Sequence, residues 1–152
     1  MSRWVESVER VIPAPPERIF ALVADPRRHK DIDGSGTVRD AKDLPERLEL
    51  GSTFGMNMEY GGKYSMLNTV IEYEDNRRVT WQARPVNRKI MGRLFGGRIW
   101  RYELEPVAAG TLVRESWDLS EEHNKRLVWQ YRKKTRGNME RTLERIEQLA
   151  TA

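Results

Sequence analysis

The sequence contains no cysteine among its 152 residues, which excludes disulfides, thiolate metal sites and a thiol nucleophile. It also lacks an apolar run that approaches the roughly 18 residues needed to cross a membrane. Its first residues, MSRWVESVERVI, mix charged with apolar side chains and lack the apolar core of a signal peptide. These absences predict a soluble, cytoplasmic protein.

Motifs for nucleotide and metal chemistry are missing as well. The sequence has no phosphate-cradling loop, dinucleotide fingerprint or Ser/His/Asp set, and LFGGR lacks the lysine-serine ending of a P-loop. The two histidines, His29 and His123, lie far apart, and neither has a companion at metal-ligand spacing. We therefore expect no cofactor and no metal.

The stretch DIDGSGTV, residues 31–38, resembles the start of an EF-hand calcium loop. Asp31 and Asp33 stand at the first two ligand positions of such a loop. Positions 9 and 12, however, hold Arg39 and Lys42, where the ion needs water or a carboxylate. The stretch is instead predicted to be a polar turn that enters a strand, with aspartate side chains bonding nearby backbone amides.

The residues that are present indicate one globular domain over residues 1–152. The chain is 38% hydrophobic and 33% charged, has no repeat or long linker, and is large enough to bury roughly 70% of its unfolded surface. Its net charge is +4. The densest basic cluster is Arg132, Lys133, Lys134 and Arg136. We interpret this cluster as a solvated helix face, so nucleic-acid or membrane contact is not expected.

Alternation of apolar and polar residues predicts an antiparallel sheet in the middle of the chain. A first strand, WVESVERVI, ends at Pro13, and a short helix in APPERIFALVAD is stopped by Pro26. About six strands follow, with short connections that indicate a meander with one wet face. The inward positions of these strands include Phe54, Met56, Met58, Val79, Trp81, Ala83, Trp100, Tyr102, Leu104, Val113, Glu115 and Trp117.

From about Ser120 to Leu149 the spacing changes to that of a long helix, with Ser120 as the predicted N-cap. Gly137 in its interior predicts either a bend or a place where bulk is unwelcome. The stripe predicted to face the sheet consists of Leu127, Tyr131, Thr135, Met139, Leu143 and Ile146.

The order of these elements resembles the START-like superfamily, also called SRPBCC, and in particular its polyketide cyclase/dehydrase and lipid-transport branch. The segments that carry the resemblance are VERVIPAPPERIFALVADPRRH, VIEYEDNRRVTW, GTLVRESWDL and the terminal helix. The resemblance implies an α+β helix-grip fold, in which a curved antiparallel sheet wraps around the long C-terminal helix and a ligand cavity lies between them. Members of the superfamily bind sterols, hormones, quinones, lipids or polyketides, and only some of them are enzymes.

The candidate site residues lie on the inward face of this sheet. Glu115 is the first candidate, because a buried carboxylate needs a partner and has a shifted pKa. It is interpreted as a general base, a ligand hydrogen-bonder, a structural partner of an arginine or a bulge residue turned to solvent. Tyr102 is the second candidate for catalysis. The expected ligand-binding set is Phe54, Met56, Met58, Asn68, Trp81, Trp100, Tyr102, Trp117, Tyr131 and Met139, with the direction of Asn68 ambiguous.

Three functions remain open from the sequence. The first is binding of a hydrophobic or aromatic small molecule, such as a lipid, a quinone or a polyketide-like compound, in the cavity. The second is a polyketide cyclase, aromatase or dehydratase that uses acid/base residues of the cavity. The third is an interaction protein that contacts RNA, a ribosome or a membrane. A homodimer is compatible with each, and residues 85–98 are interpreted as a lid, a packed hairpin loop or a membrane-touching tip.

Overall fold

Antiparallel strands form one sheet in the computed structural model, which describes residues 3–45, 48–59, 62–86 and 94–152. These residues contain the strands β1 (Val5–Ile12), β2 (Val38–Lys42), β3 (Thr53–Glu59), β4 (Lys63–Glu74), β5 (Arg78–Pro85), β6 (Arg98–Val107) and β7 (Gly110–Asp118). The spatial order is β1-β7-β6-β5-β4-β3-β2, so β1 lies beside the last strand of the chain.

The helices cover one face of this sheet. Between β1 and β2 the chain forms α1 (Pro16–Val23), a 3₁₀ turn and α2 (His29–Ile32), and after β7 it forms α3 (Lys125–Val128), a second 3₁₀ turn (Trp129–Tyr131) and α4 (Arg132–Ala150). Helix α4 packs against β1, β7, α1 and α2. The expected α+β helix-grip fold, with a curved antiparallel sheet around a long C-terminal helix, is confirmed.

We call the face of the sheet toward α4 the inner face and the opposite face the outer face. Because side chains alternate along a strand, every second residue of β5, β6 and β7 reaches the inner face. Trp81, Tyr102 and Val113 join one hydrophobic core there with Met139 and Leu143 of α4.

A bulge in β4 fixes the direction of the side chains that the sequence left ambiguous. The register between β4 and β5 shifts between Val70 and Glu72, so that Ile71 has no paired residue. Asn68 and Val70 are buried on the inner face, whereas Leu67 is 39% exposed. Because of the bulge, β4 can direct apolar side chains toward the core both before and after Ile71.

The terminal helical region begins later than the sequence predicts. Ser120 is not its N-cap, because the Ser120 backbone N–H donates to the Asp118 carboxylate at 2.9 Å and the chain turns there. Helix α3 begins only at Lys125. The stripe is correct from Met139 onward, Thr135 is half-buried, and the stripe is wrong at Leu127 and Tyr131, which are 44% and 57% exposed.

The physical reason for this error is the 3₁₀ turn Trp129–Tyr131. A 3₁₀ turn has about three residues per turn instead of 3.6, so it rotates the side chains before it relative to those after it. Val128 is consequently the buried residue, and Tyr131 points into solvent. Gly137 does not exclude bulk, because a Cβ there would meet only the Arg141 guanidinium, at 3.6 Å; α4 runs through it without interruption, and the bend stays a prediction.

Residues 33–38 form the predicted polar turn, and they are attached to α4. The Asp33 carboxylate accepts hydrogen bonds from the backbone N–H groups of Ser35 and Val38, both at 3.1 Å. The Gly34 N–H donates to the Thr142 hydroxyl at 2.8 Å. A Cβ at Gly34 would lie 2.2 Å from the Asn138 carbonyl oxygen, so this approach to the helix requires glycine.

Candidate functional site

Glu115 lies at the centre of the inner face. It belongs to β7, where it is opposite Tyr102 of β6 on one side and Val8 of β1 on the other. The register is regular on both sides, so no bulge turns the side chain outward, and its exposed fraction is 2%. The alternation of Val113, Glu115 and Trp117 therefore places a carboxyl group inside the core, as the sequence predicts.

Burial determines the charge of this carboxyl group. Loss of hydration raises the pKa of Glu115 to about 8; a hydrogen bond with Tyr102 works in the opposite direction, and the charge of Asp33 adds to the rise. One carboxylate oxygen, Oε1, is buried without a hydrogen-bond partner among the described residues. None of the groups that shift this pKa is a cation. The structural alternative, a carboxylate paired with an arginine, is thus not what this part of the chain contains.

Tyr102 is the group that interacts with Glu115 directly. Burial, followed by the negative charge of Glu115 and the hydrogen bond between them, raises the pKa of Tyr102 well above its ordinary value. The phenol therefore keeps its proton and, as the donor of the pair, lies opposite the Glu115 carboxyl group. The two residues that the sequence proposed as catalytic are in contact.

Four aromatic rings form a group beside this pair, which we call the histidine cluster: His29, Phe54, Trp81 and Tyr102. The His29 imidazole stacks on Trp81 with centroids 4.9 Å apart and an angle of 22° between the planes. Trp81 also contacts Phe54 and Tyr102, each at 5.8 Å between centroids. Such tilted and edge-to-face contacts stabilise a core beyond the area that they bury.

His29 is a member of this site that sequence reasoning missed. Its Nε2 lies 2.9 Å from the Val23 carbonyl oxygen, to which it donates, and burial lowers its pKa. The ring is therefore neutral, with Nδ1 as its hydrogen-bond acceptor. The sequence offered one signal for a turn near His29, the Asp25-Pro26 pair, which starts a 3₁₀ turn just before α2. It gave no signal that the Trp81 ring, distant in sequence, covers His29.

A second group, the tryptophan cluster, consists of Trp4, Trp100, Trp117 and Trp129. Trp117 is 1% exposed and stacks on Trp129 at 6.2 Å, with 10° between the planes. Its indole Nε1 has no hydrogen-bond partner in the described part of the chain. Trp100 packs against Trp117 at 6.5 Å and remains half-buried.

The remaining predicted ligand-binding residues lie mostly on the same face. Phe54 and Met56 of β3 are buried, Met58 at the end of that strand is half-buried, and Asn68 is paired opposite Phe54. Met139 approaches from α4 and is 1% exposed. Tyr131 is the exception, because the 3₁₀ turn directs it into solvent, and its place in the binding set is corrected.

The loop interpreted as a lid falls largely on residues 87–93, which lie outside the described residues. Its end is held by Glu122, a buried carboxylate that accepts hydrogen bonds from the Gly96 N–H at 2.6 Å and from Arg98 at 2.7 Å. Glu122 thus has a structural role that the sequence, which placed it at a helix start, did not indicate.

The described surface also contains a cleft of about 290 Å³ between α1 and the turn that joins β4 to β5. Its described lining, which includes Phe20 and Tyr73, shares no residue with the candidate set. The cavity expected between the sheet and α4 stays a prediction. Within the described ranges, no group of histidine and carboxylate side chains could hold a metal ion, and no helix is long and apolar enough to span a membrane.

Comparisons with known proteins agree with this architecture. The family model described as "Polyketide cyclase / dehydrase and lipid transport" matches residues 4–151. The uncharacterized protein Rv0088 of Mycobacterium tuberculosis is 37% identical over 118 residues, which make up 76% of this chain and 47% of that protein. The chain thus spans about half the length of the curated relatives it matches.

Solved structures of low sequence identity show the same fold. Protein NE0264 from Nitrosomonas europaea has a TM-score of 0.73 at 15% identity, with 99% of this chain and 97% of that chain covered. Protein CV1439 from Chromobacterium violaceum has a TM-score of 0.71 at 17% identity, with 99% of each chain covered. The solution structure of the Aha1 dimer from Colwellia psychrerythraea has a TM-score of 0.63 at 17% identity, with 96% and 95% covered.

Proposed function

Because the chain belongs to the polyketide cyclase/dehydrase and lipid-transport family, we propose that it binds a hydrophobic or aromatic small molecule between the inner face and α4. The observation that carries this proposal is the Glu115 Oε1 atom, which is buried on the inner face between Tyr102 and Val8 without a partner in the described residues. An unsatisfied buried polar group costs about 1 to 3 kcal/mol. Because the raised pKa keeps this carboxyl group protonated near neutral pH, a ligand that accepts a hydrogen bond from it recovers this free energy.

Trp117 Nε1 supports the same proposal from a neighbouring position. It is a donor on the same face of the same strand, two residues from Glu115, hence about 7 Å away along the strand. A ligand with two hydrogen-bond acceptors, such as the carbonyl oxygens of a quinone, would satisfy both groups. The groups that act on Glu115 include the negative charge of Asp33 and no cation, so the ligand is an uncharged lipid, quinone or polyketide-like compound rather than a fatty acid.

Two substitutions at the same position test whether the carboxyl group recognises a ligand. Glu115→Gln keeps a hydrogen-bonding side chain, whereas Glu115→Leu removes it at similar volume. We expect Glu115→Leu to weaken binding of the quinone menadione, measured by quenching of tryptophan fluorescence, by roughly threefold to tenfold, the equivalent of one hydrogen bond. Glu115→Gln should weaken it less.

Tyr131→Phe is the control for this experiment, because Tyr131 is exposed and should not affect the affinity. Native mass spectrometry of the freshly purified protein complements the titration, with a bound neutral small molecule expected. A protein that carries no molecule and binds neither menadione nor a neutral lipid such as monoolein saturably would contradict the binding proposal.

A second candidate, acid/base catalysis on a polyketide-like substrate, is supported by a different observation. A carboxyl group with a pKa of about 8 in contact with a phenol can both donate and accept a proton near neutral pH. General acid/base groups contribute roughly 10²–10⁴-fold to rates. For an enzyme, Glu115→Gln should lower the rate of cyclisation of a synthetic poly-β-ketone by that factor while binding persists. A variant as active as the wild type would exclude Glu115 as the catalytic group.

A further inference from the structure

The charge of the chain is concentrated in one segment. Residues 125–136, KRLVWQYRKKTR, contain six lysine or arginine residues and no carboxylate. Because the whole chain has a net charge of +4, the remainder has a net charge of −2. The segment comprises α3, the 3₁₀ turn and the first residues of α4, which follow one another without interruption.

Two apolar side chains in this segment face solvent. Leu127 and Tyr131 are 44% and 57% exposed; Leu127 lies in α3, and Tyr131 ends the 3₁₀ turn that follows it. The exposed neighbours in sequence are Arg126, Lys133 and Lys134. The segment therefore exposes two apolar side chains together with several cations.

The start of β1 extends this surface. Trp4 meets Trp129 edge to face, with ring centroids 5.8 Å apart. Arg3 and Lys125 lie over the Trp4 ring at 4.8 and 5.7 Å, and Arg132 lies over the Trp129 ring at 5.6 Å. Half-buried tryptophans with cations beside them are typical of side chains at a membrane–water interface. We call Arg3, Trp4 and residues 125–136 the basic surface.

We propose that the basic surface docks on an anionic lipid bilayer. Each lysine or arginine near such a bilayer is attracted by its negative surface potential, and exposed Leu and Tyr side chains gain free energy when they enter the boundary between headgroups and acyl chains. A nucleic acid would use the cations, but it offers Leu127 no apolar environment. The proposal is independent of which ligand the inner face binds.

The nearby carboxylates do not oppose this docking. On sequence alone, the basic cluster is interpreted as a solvated helix face without membrane contact. Glu6 and Glu140 both pair with Arg136 at the end of the basic segment, and Glu122 is buried against Arg98. The segment from Lys125 to Arg136 thus contains no carboxylate of its own, and its ion pairs with Glu6 and Glu140 involve only its last residue.

Co-sedimentation with lipid vesicles tests the proposal on the full chain. We expect binding to vesicles with about a third phosphatidylglycerol, little binding to pure phosphatidylcholine, and a steep loss of binding with added salt. Arg126→Glu combined with Lys133→Glu should lower the affinity at least roughly thirtyfold, since each lost cation alone accounts for about fivefold. Leu127→Ser combined with Tyr131→Ser should lower it severalfold and make the residual binding more sensitive to salt.

The matched control is Lys42→Glu combined with Arg77→Glu, which changes the net charge equally at exposed sites outside the basic surface. This double variant should bind vesicles almost as tightly as the wild type does. Circular dichroism should show that every variant in the series folds. The proposal is wrong if the protein binds neutral and anionic vesicles equally, or if both charge-reversal variants lose the same affinity. It is also wrong if the protein binds single-stranded RNA tightly and this binding abolishes vesicle binding.

Discussion

On the outer face of the sheet Glu72 accepts hydrogen bonds from Arg101 at 2.8 Å and from Arg78 at 3.4 Å, whereas on the inner face Glu115 has no cation acting on it. Partial burial works to raise the pKa of Glu72, but the hydrogen bond from Arg101 and the neighbouring positive charges outweigh it and hold that pKa below its ordinary value. Burial without a cation raises the pKa of Glu115 instead.

The difference separates a structural carboxylate from a candidate functional one. Outer-face ion pairs such as Arg78–Glu103 and Arg114–Glu9 satisfy charges that water also reaches. A carboxyl group buried in an aromatic core without such a pair lowers stability. Natural proteins retain destabilising groups of this kind mainly where function needs them. The comparison therefore directs attention to the inner face.

The largest expected effect is the loss of packing on the inner face. Trp81 is 8% exposed and contacts three other rings of the histidine cluster. Trp81→Ala should lower the free energy of unfolding by about 3 to 5 kcal/mol, measured by urea denaturation. Tyr131→Ala, at an exposed position, should change it by less than about 0.5 kcal/mol. Similar losses in both variants would contradict the assigned inner face.

Glu115 should make stability depend on pH in the alkaline direction. The pKa is about 8 in the folded state and 4.5 as its ordinary value, so the folded state holds the proton more tightly. The free energy of unfolding should then fall by about 4 kcal/mol between about pH 5 and about pH 9. Glu115→Gln should remove most of this fall, and it should be more stable than the wild type at the alkaline end.

Glu72→Gln is the contrasting variant, because the pKa of Glu72 is lowered in the folded state. Its contribution to stability is present above the ordinary pKa of 4.5 and is lost as the pH falls through the folded value. The variant should therefore be destabilised at neutral and alkaline pH, by about 1 kcal/mol or less because solvent screens the pair. A stabilised Glu72→Gln would remove the distinction between the two faces.

His29 should limit stability on the acid side, where Glu115 has no effect of this sign. Burial lowers its pKa from 6.5, so its contribution is present above about pH 6.5 and is lost as the pH falls toward the folded value. His29→Phe keeps an aromatic ring on Trp81 and should flatten the acid limb of the unfolding profile. His123→Gln, at an exposed position, should leave that limb unchanged.

The smallest effect is expected for a single ion pair on the outer face. Arg101→Ala removes the contact with Glu72, and its side chain is 24% exposed. We expect a loss of about 1 kcal/mol or less in the free energy of unfolding, reduced further at high salt. A loss as large as that of Trp81→Ala would mean that the outer face holds the fold together to the same degree as the core.

Sequence patterns predicted those features that depend on local alternation. The inward position of Glu115 follows from its spacing between Val113 and Trp117, and the regular register of β7 confirms it. The helix-grip fold followed from the order of elements and the family resemblance. Thus the fold and the polar centre of the candidate site were both accessible before the structure.

Other features depend on contacts or backbone details that a pattern does not encode. The bulge at Ile71 decides the direction of Asn68, and the 3₁₀ turn before α4 decides the direction of Tyr131. His29 enters the site because Trp81, far along the chain, covers it. The first two outcomes depend on a one-residue change in strand register or helical turn, and the third depends on a tertiary contact.

The position of β1 beside β7 has a consequence for biosynthesis. Val5 is opposite Asp118 and Ile12 is opposite Thr111, so β1 has no partner in the sheet until nearly the whole domain has left the ribosome. An unpaired strand edge invites association with other chains, and charged side chains reduce that risk. The charges of β1 at Glu6, Glu9 and Arg10 therefore protect a nascent strand. Pulsed hydrogen exchange during refolding should show protection of β1 amides after those of β3 to β5.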